Sequence, residues 1–195
     1  MSNYKIAKLS DQVYEIQNFI TEDELDHVMQ LAKTSNNSDW YGENVQYDFW
    51  ADKILNRRLL KDNDLFSNIE ERVATLFKGN LEVTGINLQR YMMGDALGEH
   101  TDDHDGHKIN GEQIFYGVVI YYNDAYEGGE LIYPDLGITH KPVSRSLVLH
   151  GGKILHGTMP VKSNSARYIS TMFVKHKLDE VVRLNEEVFG EVNGI

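Results

Sequence analysis

With 195 residues, the chain fits one hydrophobic core, since single cores commonly serve roughly 100 to 200 residues. Apolar residues make up 41% and charged residues 25%, with only three prolines, a composition that belongs to a folded globular protein and excludes a disordered one. The net charge of −11 and pI near 5.1 oppose nucleic acid and anionic membranes as partners, and zero cysteine leaves only His and carboxylates as metal ligands.

The N-terminal stretch MSNYKIAKLSDQVYEI lacks the apolar run of a signal peptide, and no segment approaches the roughly 20 apolar residues of a membrane span. A cytoplasmic protein is expected. Residues 13–20 alternate as a strand. Thr21 to Glu24 then read as a capping box, followed by Leu25, Val28, Met29 and Ala32 on one face, which predicts an amphipathic helix over 22–34. A second helix is predicted over 64–78, from Leu65, Ile69, Val73 and Leu76, with Gly79 as its stop. Residues 35–63 are polar and aromatic-rich, carrying Trp40 and Trp50, and fit neither period.

From Leu81 the texture changes to short β-branched and aromatic runs separated by Gly, Asn, Asp and Pro. Strands are predicted at 82–91, 98–102, 114–122, 129–133, 137–140, 146–150, 154–156 and 166–174. Such a series describes a mainly-β (α+β) sandwich or jelly roll with both helices packed on one face. A terminal helix is predicted over 178–188. The chain divides into an N-terminal helical support (1–80), a jelly-roll core (81–175) and a tail (176–195), all within one domain.

The chemistry is carried by three separated pieces. In Gly98-Glu99-His100-Thr101-Asp102-Asp103, residues i and i+2 of an extended chain point to one side, so His100 and Asp102 can bind one ion together. Leu155-His156-Gly157 supplies a second imidazole at a strand's end. Two His and one carboxylate form a facial triad that leaves positions open on an octahedral metal, the arrangement suited to Fe(II) oxygenases. Arg167 opens the alternating run Arg-Tyr-Ile-Ser-Thr-Met-Phe. Its planar fork can grip a carboxylate if it points into the core, whereas on an edge strand it would be solvated.

The order Tyr91…His100-Thr101-Asp102…Ile120-Tyr121-Tyr122-Asn123…Glu127-Gly128-Gly129-Glu130…His156-Gly157…Pro160-Val161…Arg167-Tyr168 resembles the 2-oxoglutarate Fe(II) dioxygenase superfamily, in particular its prolyl 4-hydroxylase type. The resemblance runs from about Val13 to Val174, because Glu15 to Glu24 is similar to that family's entry strand and helix. It implies a double-stranded β-helix (jelly roll), iron held by His100, Asp102 and His156, and the 2-oxoglutarate C5 carboxylate held by Arg167. Tyr91 and Tyr121 match tyrosines that help hold the co-substrate, although a one-residue shift would put Tyr122 in the second role. Gly128-Gly129-Glu130 matches a structural turn. Phe173 falls where relatives place a bulky aromatic near the substrate, and Trp50 from the unassigned segment, which could also cover the site, is the second candidate for an aromatic substrate contact.

The implied activity is hydroxylation of prolyl residues in a peptide or protein, with ascorbate as a possible reductant. The same chemistry on a free amino acid or other small molecule, or metal binding without turnover, are the alternatives. Two departures from the family stand out. Arg167 replaces the Lys of many animal prolyl 4-hydroxylases, and His150 stands where relatives often have Phe, which predicts a buried neutral imidazole. His104 and His107 are expected in a solvated turn beside the site, and His140 and His176 at the surface. Trp40 fits a cover over the site or packing equally well.

Overall fold

The computed structural model describes residues 4–36, 40–42, 56–58, 63–83, 86–103, 112–177 and 183–190. Before the jelly-roll core come β1 (Lys5–Ser10), β2 (Val13–Gln17), α1 (Glu22–Thr34), β3 (Tyr41–Gly42), β4 (Asn56–Arg58), α2 (Asn63–Ala74) and β5 (Phe77–Lys78). The core follows as β6 (Leu81–Val83), β7 (Leu88–Tyr91), β8 (Leu97–His100), β9 (Glu112–Tyr121), β10 (Leu131–Tyr133), β11 (Ile138–His140), β12 (Leu147–Gly151), β13 (His156–Thr158) and β14 (Arg167–Lys177). The short β15 (Arg183–Leu184) and α3 (Glu186–Phe189) close the described chain.

Helix α1 matches the predicted span, and its cap is the expected one. The Thr21 hydroxyl accepts from the Glu24 amide at 3.2 Å while the Glu24 carboxylate accepts from the Thr21 amide at 2.9 Å. The strands pair antiparallel in two layers. The larger sheet runs β1-β2-β12-β9-β14-β7-β4-β3, with β6 also on β14, and the smaller runs β11-β10-β13-β8. This is the predicted jelly roll.

Two apolar clusters follow from strand alternation. Tyr116, Val118, Ile120, Leu147, Leu149, Met172 and Val174 face α1 and α2, where Val28, Phe66, Ile69 and Val73 meet them. Val119, Tyr121, Val148 and Ile169 point the other way, toward Leu131 and Tyr133 of the smaller sheet. Successive residues of β9 and β14 therefore serve opposite sides of one sheet.

Four expectations change. The predicted strand 82–91 divides into β6 and β7, because the Ile86 amide donates to the Glu70 carboxylate of α2 at 2.6 Å and leaves the ladder. Helix α2 ends at Ala74 instead of reaching 78, and Phe77–Lys78 pairs with Arg183–Leu184. That pairing also replaces part of the predicted terminal helix, of which only Glu186–Phe189 is helical among the described residues. Strand β1, an edge of the larger sheet, had no predicted counterpart, since the Lys5, Lys8 and Ser10 positions dilute its alternation. Among the described residues no helix is long and apolar enough to cross a membrane.

Candidate active site

The metal-ligand candidates converge because β8 and β13 lie side by side, with His156 directly opposite His100. A side chain at Gly157 would meet the Leu97 carbonyl at 3.0 Å, so glycine there lets the two backbones approach. Strand β8 ends at His100, and Asp102 sits in the bend beyond it instead of on the predicted strand. That bend is pinned by the Asp103 amide donating to the Gly152 carbonyl at 2.8 Å and by the Gln113 amide donating to the Asp103 carboxylate at 2.9 Å.

One candidate ligand atom from each of His100, Asp102 and His156 lies within 4.8 Å of the others. The Nδ1 atoms of His100 and His156 each stand 2.9 Å from a backbone carbonyl, of Gly98 and Ile154. A carbonyl only accepts, so each Nδ1 carries the hydrogen and each Nε2 is left as an electron-pair donor. Those two nitrogens face Asp102 Oδ1 at 3.5 and 3.7 Å. Burial opposes charge on Asp102, but hydrogen bonding, to which the His150 Nε2–H contributes at 3.1 Å, outweighs burial and holds the carboxyl well below the usual range. Burial, then the neighbouring His150, pushes His156 down to about 3, so it is neutral at physiological pH. Two lone pairs and a carboxylate oxygen this close together could hold a cation.

Arg167, only 1% exposed, lines the same cavity as the three ligand candidates. It opens β14 opposite Tyr91 of β7, and its guanidinium lies 4.7 Å from the Tyr91 ring centroid and 5.1 Å from that of Tyr121. Its Nη2 donates to the Tyr121 hydroxyl at 3.2 Å, while Nε and Nη1 have no hydrogen-bond partner among the described residues. Gly129 makes room for the stem, since a Cβ there would sit 3.1 Å from Arg167 Cδ. Burial pushes the Tyr121 phenol up to about 12 despite the arginine's opposing charge, which leaves it a neutral donor or acceptor.

The ambiguity between adjacent tyrosines is resolved by alternation. Tyr121 faces Arg167, and Tyr122 points to the helix side, where its hydroxyl bonds Ser170 Oγ at 2.9 Å. Phe173 lines the same cavity as the triad and Arg167, further along β14. Trp50, His104, His107 and the His176 side chain lie outside the described residues. Trp40 is no cover over the site: it is buried on the helix side, with Arg90 4.5 Å from its ring centroid and the Tyr168 ring at 6.2 Å. His140 is half-buried, not superficial, with Nε2 3.4 Å from the buried Glu15 carboxylate.

Three groups at the site were not singled out from the sequence. Tyr126 brings another buried phenol near Arg167, raised by burial with the arginine opposing. Gln89 on β7 lines the cavity and donates to Thr171 Oγ1 at 2.6 Å. Tyr133 bonds His150, as described below. Only the spacing of Gln89 two residues before Tyr91 could have flagged any of them.

No family model matches the sequence, and no curated protein matches it. Solved structures do match in fold. The viral collagen prolyl hydroxylase vCPH from Paramecium Bursaria Chlorella virus-1, in a 2-oxoglutarate complex, aligns with a TM-score of 0.62 at 18% identity, over 84% of this chain and 96% of that one. A prolyl hydroxylase from Trichoplax adhaerens, in complex with a peptide of the hypoxia inducible factor oxygen degradation domain, gives 0.64 at 14%, over 85% and 84%. HygX from Streptomyces hygroscopicus, with nickel, 2-oxoglutarate and hygromycin B bound, gives 0.59 at 11%, over 86% and 83%. The likeness at these identities is one of fold.

Proposed function

We propose that the protein is an Fe(II)- and 2-oxoglutarate-dependent dioxygenase that hydroxylates a prolyl residue in a peptide or protein. The observation that carries this reading is Arg167: a buried cation with two guanidinium nitrogens that lack hydrogen-bond partners among the described residues, in the same cavity as three converging metal-ligand candidates. Leaving such donors unsatisfied costs free energy that a bound carboxylate would return. Metal storage alone gives no reason for that cost.

The residues present fit both groups. His100, Asp102 and His156 would hold iron, and Arg167 with Tyr121 and Tyr91 would hold the distal carboxylate of 2-oxoglutarate. When bound, iron and 2-oxoglutarate use dioxygen to form succinate and carbon dioxide and to place one oxygen atom on the substrate. The chain itself contributes a fixed monoanionic ligand set, a cationic anchor that sets the co-substrate's direction, and apolar walls such as Val119, Leu131 and Ile169 that keep water out. Phe173 offers an aromatic face on the cavity wall to a substrate ring, and Trp50 is assigned the same role from sequence. The net charge of −11 favours a neutral or basic substrate and disfavours nucleic acid. Ascorbate would serve as a reductant that rescues oxidised iron.

The fold likeness to prolyl hydroxylases, one of them bound to a peptide, supports a peptide substrate, while the likeness to HygX supports a small-molecule alternative. The purified protein, given Fe(II), 2-oxoglutarate and ascorbate, is expected to form succinate, and to add 16 Da, about the mass of one oxygen, to a proline-containing peptide. Hydroxylation confined to free amino acids or aminoglycosides in the same panel would move the assignment to the alternative. Absence of succinate under every condition would overturn the class.

A further inference from the structure

We infer that His150 is a positioning residue for the Asp102 carboxylate, through a hydrogen-bonded chain Tyr133–His150–Asp102 for which Gly117 clears the space. The inference rests on the metal site proposed above and concerns a residue that the site needs neither as ligand nor as anchor.

The two oxygens of Asp102 have different neighbours. Oδ1 faces the Nε2 atoms of His100 and His156, whereas Oδ2 is 3.1 Å from His150 Nε2. A buried carboxylate only accepts, so His150 Nε2 carries a hydrogen and donates it. Its Nδ1, 3.2 Å from the Tyr133 hydroxyl, is then the acceptor of the phenol's hydrogen. Tyr133 thus selects the tautomer that His150 needs. His150 is 1% exposed, and its ring lies against His156 with centroids 4.0 Å apart, so its orientation is fixed by packing as well.

Gly117 completes the device. It is paired with His150 across β9 and β12, and a Cβ at this position would stand 2.1 Å from Asp102 Oδ2 and 2.5 Å from His150 Nε2. Its φ lies outside the left-handed region that favours glycine, so the backbone makes no demand for it. The missing side chain is the volume in which donor and carboxylate meet.

Holding Oδ2 prevents the carboxylate from turning about its last bond and offering both oxygens to the cation. Asp102 is then a one-oxygen ligand, and the positions required by co-substrate and dioxygen stay open. An apolar ring in place of His150 would leave Oδ2 buried without a donor.

The test is a titration with Co(II), whose visible absorption bands report coordination geometry, on the full chain and on folded variants checked by circular dichroism and thermal melting. Loss of such a supporting bond typically weakens metal binding about 10- to 100-fold. His150→Phe, which keeps a planar ring without nitrogens, and Gly117→Ala are expected to show that loss together with altered Co(II) bands. His150→Gln, whose amide nitrogen can reach the place of Nε2, should recover most of the affinity and the native bands. Should His150→Phe not fold, Tyr133→Phe removes a single oxygen and carries the same test by weakened Co(II) binding at unchanged folding. Native affinity and native bands in the folded His150→Phe or Tyr133→Phe variant overturn the inference alone, provided His100→Ala abolishes binding. Co(II) binding by His100→Ala as tight as by the unmodified chain overturns the metal site and the inference together.

Discussion

The two faces of the larger sheet both carry buried or half-buried polar groups and treat them differently. On the helix side, Tyr122 bonds Ser170 at 2.9 Å, and Arg72 grips Glu24 with two bonds of 3.0 and 2.8 Å while its guanidinium lies 4.9 Å from the Phe19 ring centroid. On the cavity side, one residue earlier in the chain, the Tyr121 hydroxyl accepts from a guanidinium whose Nε and Nη1 lack partners among the described residues, and three ligand candidates line the same cavity. Polar groups of the first kind stabilise the fold, because each bond is made within the protein. Those of the second kind cost stability, a cost that a bound carboxylate would offset. Neither burial nor one unpartnered atom singles out a candidate site, since Trp40 Nε1 and Arg72 Nε on the helix side also lack partners among the described residues; unpartnered donors sharing a cavity with converging ligand candidates do.

The strongest way to break this comparison is at the metal candidates. Asp102→Ala and His156→Ala are each expected to abolish iron binding and turnover, as read by metal titration and succinate formation. Retention of iron by either variant would place the site elsewhere. Next comes Arg167→Met, expected to weaken 2-oxoglutarate binding by roughly 10- to 150-fold, from about 1.5 to 3 kcal/mol for charge-assisted bonds, with metal affinity unchanged. The ligand-free variant should melt no lower than the parent, since an unsatisfied buried cation is removed.

The neighbouring tyrosines sharpen the contrast further. Tyr122→Phe leaves the Ser170 hydroxyl buried without its partner and should cost about 1 to 3 kcal/mol of stability in urea unfolding, with 2-oxoglutarate affinity unaffected. Tyr121→Phe should do the reverse, weakening co-substrate binding several-fold at nearly constant stability. The smallest effect is expected at Glu24. Burial raises its carboxyl, but the Arg72 bonds, together with the Thr21 amide, outweigh burial and hold it below the ordinary 4.5. A depressed carboxylate contributes stability above that ordinary value and loses it as pH falls through the folded one. Glu24→Gln should therefore cost about 1 kcal/mol at pH 7, with the difference from the parent shrinking below about pH 4.

Much of the architecture was legible from local pattern. The 3.6-residue period with its capping box gave α1 its observed ends, and period-two alternation located the core strands from β8 to β14 to within a few residues. His100, Asp102, His156 and Arg167 were named from sequence and share one cavity. The end of α2 was misread because Leu76 keeps the apolar period after the helix has stopped, its burial supplied by the same cluster. Tyr126 and Gln89 went unnoticed because nothing in their neighbours along the chain distinguishes a cavity-facing polar residue from a solvated one.

What the sequence by itself determined is whatever depends on residues within a turn or a strand length of one another: which segments are helix or strand, and which side chains share a face. Sheet order lies beyond that reach. It placed β12 and β14 on either side of β9, turned Tyr121 rather than Tyr122 toward Arg167, and brought His150 to Asp102 across 48 residues of chain beside a glycine with room for both. Side-chain period is a property of the backbone, whereas the partner that a buried donor meets is set by which strands become neighbours when the chain closes its core.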